Sequence, residues 1–290
     1  MISPAAQPPL PVPFGVSEYT TGPATFEQDL SLFRELGIQN IEVCEGKLAA
    51  ADPRPQIEQL QATGMKVTSV QPRLHSLFPD GPRPLPAPPA ERMSRVAETC
   101  KLFGQYFPGT TLVTISGAAP NGDYRLAYQT AAHEYRKAAS VAEQHGVRLA
   151  LEPLNPILMN VDTFVCSLAH ARRLIETVDH PAFGLFLDVW HVWEDAAAPE
   201  EIATLAGRIF GVHVNDWHTP RAFGDRAIPG QGEIPLLKLL QAIRGTGYAG
   251  AYTLEIFSEL KLPGSLWADP RKTISESKAA FENLWSQVCA

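Results

Sequence analysis

The sequence predicts a single-domain α/β protein with the closed (β/α)8 TIM-barrel architecture. Eight short apolar runs alternate with longer stretches of helical period along the chain. Parallel neighbouring strands need crossover connections, which are usually helical, so this alternation indicates a parallel sheet. The 290 residues are enough for eight such units, which typically occupy about 250 residues. Neither a G-x-G-x-x-G turn nor a P-loop pattern appears, which disfavours an open nucleotide-binding sheet.

The predicted strands are the apolar runs rich in β-branched residues, which favour extended backbone. They cover residues 13–19, 38–45, 65–71, 111–117, 147–154, 183–190, 209–216 and 251–257. Since no linker separates these runs, we predict one barrel domain over residues 13–290. Residues 1–12, which are rich in proline, form a predicted loosely held arm.

Capping residues and apolar periodicity predict the helices between the strands. Thr25 and Gln28 have capping-box spacing before an apolar stripe. The same reasoning predicts a helix over 125–145, a helix capped by Asp162, a helix with Pro235 near its first turn, and a last helix over about 270–288.

One predicted loop is unusually rich in proline. The segment LFPDGPRPLPAPPAE, residues 77–91, follows the third strand and contains six prolines. Proline at this density disfavours helix and stiffens an extended backbone. The loop lies on the face where barrels place their chemistry. The sequence leaves open whether it forms a rim or lid over a site or a rigid surface connection.

Composition and charge exclude several classes of protein. The chain is 45% hydrophobic and 19% charged, which is typical of a globular protein with a full core. Its net charge of −7 disfavours binding to nucleic acid or to anionic membranes, since both need clustered cations. No apolar run approaches the roughly 18 residues of a membrane span, and we identify no secretion signal. Four cysteines without paired spacing fit a reducing compartment, so we expect a cytoplasmic protein.

Four consecutive predicted strands end in side chains that can bind a metal ion. Glu152, Asp188, His213 and Glu255 follow one another at intervals of 36, 25 and 42 residues, close to the roughly 30 residues of one strand–helix unit. The four side chains would therefore face the same mouth of the barrel. Three crowded carboxylates repel one another unless a cation lies among them. Oxygen ligands and one imidazole suit Mn²⁺ or Mg²⁺ and leave two octahedral positions for adjacent substrate oxygens.

The two glutamates also predict a reaction type. Glu152 and Glu255 lie on strands five and eight, across the mouth from each other. One carboxylate can take a proton next to a carbonyl group, and the other can return it on the opposite face. The cation would stabilise the enediolate that forms. If a β-hydroxyl leaves instead, the same chemistry eliminates water.

These residues lie in segments that resemble the xylose-isomerase-like barrel superfamily of sugar phosphate isomerases and epimerases. The resemblance is specific from about residue 147 to residue 258 and rests on LEP at 151–153, DVWH at 188–191, GVHVND at 211–216, RAIPGQG at 226–232 and LEIFS at 254–258. It implies that Glu152, Asp188, His213 and Glu255 hold the ion, and that Glu152 and Glu255 are the acid/base pair. It further implies that His191 and Arg226 contact substrate oxygens.

The resemblance implies a metal-dependent isomerase or epimerase of a small ketose, a cyclitol-like compound or a related polyhydroxy carbonyl compound, in carbohydrate metabolism. Dehydratases of inosose and 3-dehydroshikimate in the same superfamily keep a lyase as the alternative. The acidic charge balance disfavours the DNA-repair branch, and the second glutamate disfavours a simple binding protein. Barrels of this family often pair, which leaves a homodimer or homotetramer open. The interval from His213 to Arg226 is longer than in ketose epimerases, so the loop over the substrate differs.

Other residues near these strand ends have two interpretations each. His75 could bind substrate or be a buried structural histidine, and Glu42 could point into the barrel or form a salt bridge at a strand end. Trp217 is one of several tryptophans whose rings could pack against a sugar or within loops. Asn155 and Asp216 lie beside the predicted ligands, where a supporting role is the better interpretation.

Overall fold

A computed structural model describes residues 12–219 and 224–290, and it confirms the predicted barrel. Eight parallel strands close in chain order, and the first strand is hydrogen-bonded to both the second and the last. Each strand lies inside one of the predicted runs. Residues 1–11 of the predicted N-terminal arm lie outside the described residues. The strands are β1 (Phe14–Ser17), β2 (Asn40–Cys44), β3 (Lys66–Gln71), β4 (Thr111–Thr114), β5 (Arg148–Leu151), β6 (Phe183–Asp188), β7 (Ile209–Val214) and β8 (Tyr252–Leu254).

Helices fill the segments between the strands. The predicted capping box is present, since the backbone N–H of Gln28 donates to Thr25 Oγ1 and the N–H of Thr25 donates to Gln28 Oε1. No helix within the described ranges is long and apolar enough to cross a lipid bilayer. The helices are α1 (Phe26–Glu35), α2 (Arg54–Thr63), α3 (Pro89–Tyr106), α4 (Tyr124–Gln144), α5 (Leu168–Val178), α6 (Val189–Val192), α7 (Ala198–Thr204), α8 (Leu236–Gly245) and α9 (Pro270–Cys289).

The prediction that Asp162 caps a helix is wrong. Helix α5 begins at Leu168, and the Ser167 side chain accepts the capping hydrogen bond. The preceding backbone is held elsewhere, because the N–H groups of Phe164 and Val165 donate to Ser116 Oγ after β4. Asp162 instead accepts a hydrogen bond from the N–H of Gly81 at 2.9 Å. It therefore ties the loop after β5 to the proline-rich loop.

The barrel interior below the strand ends is filled by large apolar rings that two glycines accommodate. A Cβ atom at Gly211 would lie 2.1 Å from the ring of Phe186, and one at Gly184 would lie 2.6 Å from the ring of Phe210. Both rings are buried and pack with Val113. The Phe186 ring also packs against His213, with ring centres 4.5 Å apart.

The proline-rich loop forms part of the rim of this mouth. Its backbone is not helical before α3 begins at Pro89, as its composition predicts. The buried Arg92 of α3 donates hydrogen bonds to the carbonyl oxygens of Ser76, Arg83 and Pro86. Because one guanidinium holds two points of the loop and the residue before it, the rim is fixed against the helix below it.

Candidate metal centre and active site

The four predicted metal ligands converge at the mouth of the barrel. Glu152 follows β5, Asp188 ends β6, His213 lies in β7 and Glu255 follows β8. One ligand atom of each lies within 4.8 Å of the others, and all four residues are buried. The convergence results from the parallel sheet, because the carboxyl ends of all strands meet at one rim.

The charges in this cluster fit a divalent cation. Burial, followed by repulsion from neighbouring carboxylates, raises the pKa of Glu255 well above its ordinary value and also raises the pKa of Glu152. Burial would raise the pKa of Asp188 too, but Arg226, His191 and His213 together outweigh it and hold that pKa below the ordinary value. A cation among these oxygens would relieve the repulsion, and this donor set is one that binds Mn²⁺, Mg²⁺ or Zn²⁺.

His213 is the centre of the cluster. Its Nδ1 lies 3.2 Å from Glu152 Oε1 and 3.4 Å from Glu255 Oε2. Its Nε2 lies 3.0 Å from each carboxylate oxygen of Glu42. Burial would lower the pKa of His213, but the carboxylates of Glu255 and Glu42 outweigh it and raise that pKa well above its ordinary value. The imidazole is thus aimed at the predicted site through Nδ1.

Asp188 is positioned by the chain that follows β6. Its Oδ1 caps the short helix α6 by accepting the N–H of Trp190 at 2.9 Å, and it accepts the side-chain amide of Asn215 at 3.0 Å. Its Oδ2 accepts a hydrogen bond from Arg226 at 3.1 Å. The Arg226 guanidinium carbon lies 3.9 Å from the centre of the Trp190 ring. Arg226 is therefore held between a carboxylate and an aromatic face.

Two buried histidines face the cavity above the cluster as neutral groups with opposite hydrogen-bonding roles. His191 Nδ1 accepts the backbone N–H of Asn155 at 3.0 Å, so the proton of the neutral ring is on Nε2. His75 Nδ1 lies 2.8 Å from the Pro72 carbonyl oxygen, which can only accept, so the proton is on Nδ1 and Nε2 is an acceptor. Burial lowers the pKa of each histidine to about 3.

A cavity of about 510 Å³ lies over these side chains, within the size range of small-molecule sites. Of the predicted substrate-binding residues, His75, His191 and Arg226 line it. Trp217 lies outside the lining and packs on Trp193, with ring centres 5.9 Å apart. The lining includes Tyr19, His75, Pro82, Arg83, Glu152, Asp162, Trp190, His191, Arg226, Glu255 and Phe257.

Of two further contributors to this region, the sequence did not single out Arg83 and left the direction of Glu42 open. Arg83, on the proline-rich loop, lines the cavity and donates from Nε to Asp80 Oδ2 at 2.9 Å. Arg83 belongs to no recognisable motif. The only sequence signal for it is its position in the loop after β3, which lies at the mouth of the barrel. Glu42, which the sequence left with two interpretations, points into the barrel and contacts His213.

Asp216 shapes the loop that carries Arg226, which agrees with the supporting role expected of it. Its carboxylate accepts the backbone N–H groups of Gly230, Gly232 and Ile234. A Cβ atom at Gly232 would lie 2.3 Å from Asp216 Oδ1, so this position needs glycine. Residues 220–223, inside the long interval before Arg226, lie outside the described residues.

Several characterised proteins share sequence similarity with this chain. The inosose isomerase of Bacillus subtilis (strain 168) is 29% identical over 166 residues, which are 55% of this chain and 57% of that protein. The 3-dehydroshikimate dehydratase of Pseudomonas putida is 28% identical over 252 residues, which are 81% of this chain and 36% of that protein. The match therefore spans little more than half of the first relative and about a third of the second. The L-ribulose-5-phosphate 3-epimerase UlaE of Salmonella typhi is 26% identical over 272 residues, 86% of this chain and 88% of that protein.

Solved structures share the fold at lower identity. Protein SMc04130 from Sinorhizobium meliloti 1021 superposes with a TM-score of 0.80 at 24% identity, covering 94% of this chain and 98% of that one. The IOLI protein with a binding zinc atom gives a TM-score of 0.76 at 19% identity, covering 96% and 99%.

The family comparison covers the barrel and its whole predicted metal site. A family model described as a xylose isomerase-like TIM barrel matches residues 30–284. This range includes seven of the eight strands and all four converging side chains. The chain therefore belongs to the xylose isomerase-like TIM-barrel family.

Proposed function

We propose that this protein is a divalent-metal-dependent isomerase or epimerase of a small ketose or related polyhydroxy carbonyl compound. The observation that carries the proposal is the pair Glu152 and Glu255, two buried glutamates from strands three apart in the barrel that line one cavity and belong to the same converging cluster. A protein that only binds a sugar needs no second glutamate to act as a base. The relatives that act on inosose and L-ribulose 5-phosphate support this class of substrate.

The proposed ligands are Glu152, Asp188, His213 and Glu255, with Mn²⁺ or Mg²⁺ as the first choices and Zn²⁺ as the third. An ion at this site would polarise a substrate carbonyl group and stabilise the negative charge that develops when a neighbouring proton is removed. In this mechanism one glutamate takes that proton, and the other returns a proton from the opposite side of the substrate.

The remaining cavity residues would orient the substrate. His191 presents an Nε2–H donor to a substrate oxygen, and His75 presents an Nε2 acceptor to a substrate hydroxyl group. Arg226, already neutralised by Asp188, is a second donor to substrate oxygens. Trp217 would contact only a substrate that is long enough to reach beyond the cavity lining.

The test is exchange of substrate hydrogen with solvent deuterium. The protein is incubated in deuterium oxide with Mn²⁺, Mg²⁺ or Zn²⁺ and a panel of ketoses, ketose phosphates and cyclitol ketones, followed by nuclear magnetic resonance. We expect deuterium at the carbon next to the carbonyl group and formation of the epimer or isomer. Glu152→Gln and Glu255→Gln should abolish turnover, while Glu282→Gln on the exposed face of α9 should retain it. Absence of exchange with every substrate and metal would contradict the proposal.

A metal-dependent dehydratase is the second candidate, and the similarity to the 3-dehydroshikimate dehydratase favours it. The proton would be removed in the same way, but the second glutamate would protonate a departing β-hydroxyl group. The conjugated product of such a reaction absorbs ultraviolet light, whereas an epimer of a ketose does not gain this absorbance. An increase in ultraviolet absorbance with keto acids or cyclitol ketones would therefore select the dehydratase.

A further inference from the structure

Glu42 is a buried carboxylate next to the predicted metal site that has no role in the mechanism above. It lies on β2, and its side chain is fully buried. Both carboxylate oxygens lie 3.0 Å from His213 Nε2. The hydroxyl group of Ser69 on β3 donates to Glu42 Oε2 at 2.7 Å. Glu42 is thus fixed from one side by a neighbouring strand and contacts the imidazole from the other.

The orientation of His213 explains why its contact with Glu42 matters for metal binding. Nδ1 faces Glu152 and Glu255, so Nδ1 is the ring atom available to an ion in the cluster. A neutral imidazole that binds an ion through Nδ1 carries its proton on Nε2. That N–H is buried and needs an acceptor, and Glu42 lies where the acceptor must be. The Phe186 ring, whose centre is 4.5 Å from that of His213, supports one face of the imidazole.

Glu42 does not touch the place where substrate would bind. It is absent from the lining of the cavity, although Glu152 and Glu255 are part of it. Its shortest contacts are to His213 and Ser69. The hydrogen-bonded contact of Glu42 with the cluster is therefore made through His213.

We propose that Glu42 is a positioning residue that accepts the Nε2–H of His213 and holds Nδ1 towards the metal ion, an inference that rests on the proposed metal site. A carboxylate in this position fixes the tautomer and the ring orientation and makes the imidazole a stronger ligand. Removing such a partner typically weakens metal binding by about 10- to 100-fold. The contact between Glu42 and His213 links β2 to β7 through the inside of the barrel.

The experiment measures binding of Mn²⁺ and Co²⁺ to the full chain by calorimetry and records the visible absorption spectrum of the Co²⁺ form. For Glu42→Gln we expect the Kd for both ions to rise about 10-fold or more, with a shifted Co²⁺ spectrum. The matched control is Glu45→Gln, three residues along the chain, whose carboxylate bonds to the N–H of Arg73 and the hydroxyl of Thr99. Its Kd and spectrum should equal those of the wild type.

A second variant keeps the test decisive if Glu42→Gln does not fold. Ser69→Ala leaves the Glu42 carboxylate in place but removes its anchor, so we expect a Kd several-fold higher and a smaller change of the Co²⁺ spectrum. Thermal unfolding of the metal-free proteins separates a loss of fold from a loss of ligand geometry. If the wild type binds no ion, the proposed function fails. If the wild type binds but Glu42→Gln and Ser69→Ala bind equally well with unchanged spectra, the role of Glu42 is refuted.

Discussion

Cavity histidines illustrate how a single backbone hydrogen bond sets the chemistry of a side chain. The N–H of Asn155 leaves His191 with a donor at Nε2, whereas the carbonyl of Pro72 leaves His75 with an acceptor. Both rings stay neutral across the physiological range, because burial lowers the pKa of each to about 3. A change of activity near pH 6.5 therefore would not come from either ring.

At the residue scale we predict that His191→Ala impairs catalysis without removing the ion. His191 lines the cavity, so its loss removes one hydrogen bond to a substrate oxygen that gains charge and should lower kcat/KM by about 10- to 100-fold. The metal content should stay the same, because His191 is not one of the four converging residues. Kinetics and metal analysis of the same preparation check this. His133→Ala, at an imidazole that is 71% exposed, is the control. Loss of metal from His191→Ala would instead assign His191 to the metal site.

Single residues also show how far the sequence predicts the site. The four converging residues were predictable because each directly ends an apolar run, and parallel strands bring such ends together. The direction of Glu42 was not, because β2 is buried on both sides from Ile41 to Cys44, and a strand buried on both sides shows no alternation of apolar and polar residues. Arg83 was missed because a proline-rich loop has no period from which direction can be inferred.

At the scale of elements, a second buried acidic cluster joins β1, α1 and β2 away from the cavity. Glu18, in the turn after β1, accepts the N–H of Cys44 at 2.7 Å. Asp29 of α1 forms a salt bridge of 2.6 Å with Lys47. Burial, and then the charge of Asp29, raises the pKa of Glu18 well above the ordinary value of 4.5. Burial and the nearby carboxylate of Asp29 thus favour the protonated form of Glu18.

We predict that this proton makes the fold less stable as pH rises. Glu18 binds its proton more tightly in the folded chain than in the unfolded chain, so its contribution is complete below the unfolded pKa and is lost as pH rises towards the folded pKa. The contribution of Glu18 to the free energy of unfolding falls by at most about 1.4 kcal/mol per pH unit. Glu18→Gln carries no proton to lose, so its free energy of unfolding should fall less over this range. Urea unfolding at several pH values measures the difference.

The exposed Glu58→Gln is the control for this measurement, since its carboxyl group is in solvent on α2. The free energy of unfolding of Glu58→Gln should change with pH as steeply as that of the wild type. Equal slopes for the wild type and Glu18→Gln would show that Glu18 is ionised in the folded chain, contrary to the prediction.

The elements themselves were predicted better than their ends. All eight strands and the capping box of α1 are confirmed. The start of α5 was misplaced because Asp162 and Ser167 are both good capping residues. Only the hydrogen bonds that Ser116 forms with the intervening backbone decide between them, and such tertiary contacts are not visible in a local pattern.

At the scale of the whole molecule, the predicted ion would link half of the barrel. Its four ligands come from β5, β6, β7 and β8, so the site exists only when these strands are assembled. An ion that binds the folded chain but not the unfolded one stabilises it by mass action, by about 2.7 kcal/mol at 100 times its Kd. Binding of the ion should therefore stabilise the whole barrel against unfolding.

We predict that saturating Mn²⁺ raises the Tm of the wild type by about 5–10 °C relative to the protein in a chelator, as measured by calorimetry. Asp188→Ala should lose this increase, because it removes one ligand oxygen and frees Arg226 to approach the remaining carboxylates. Asp195→Ala is the matched control, since Asp195 also accepts a backbone N–H two residues ahead but lies outside the converging set. An increase retained in full by Asp188→Ala, together with full metal content, would mean that the ion binds elsewhere.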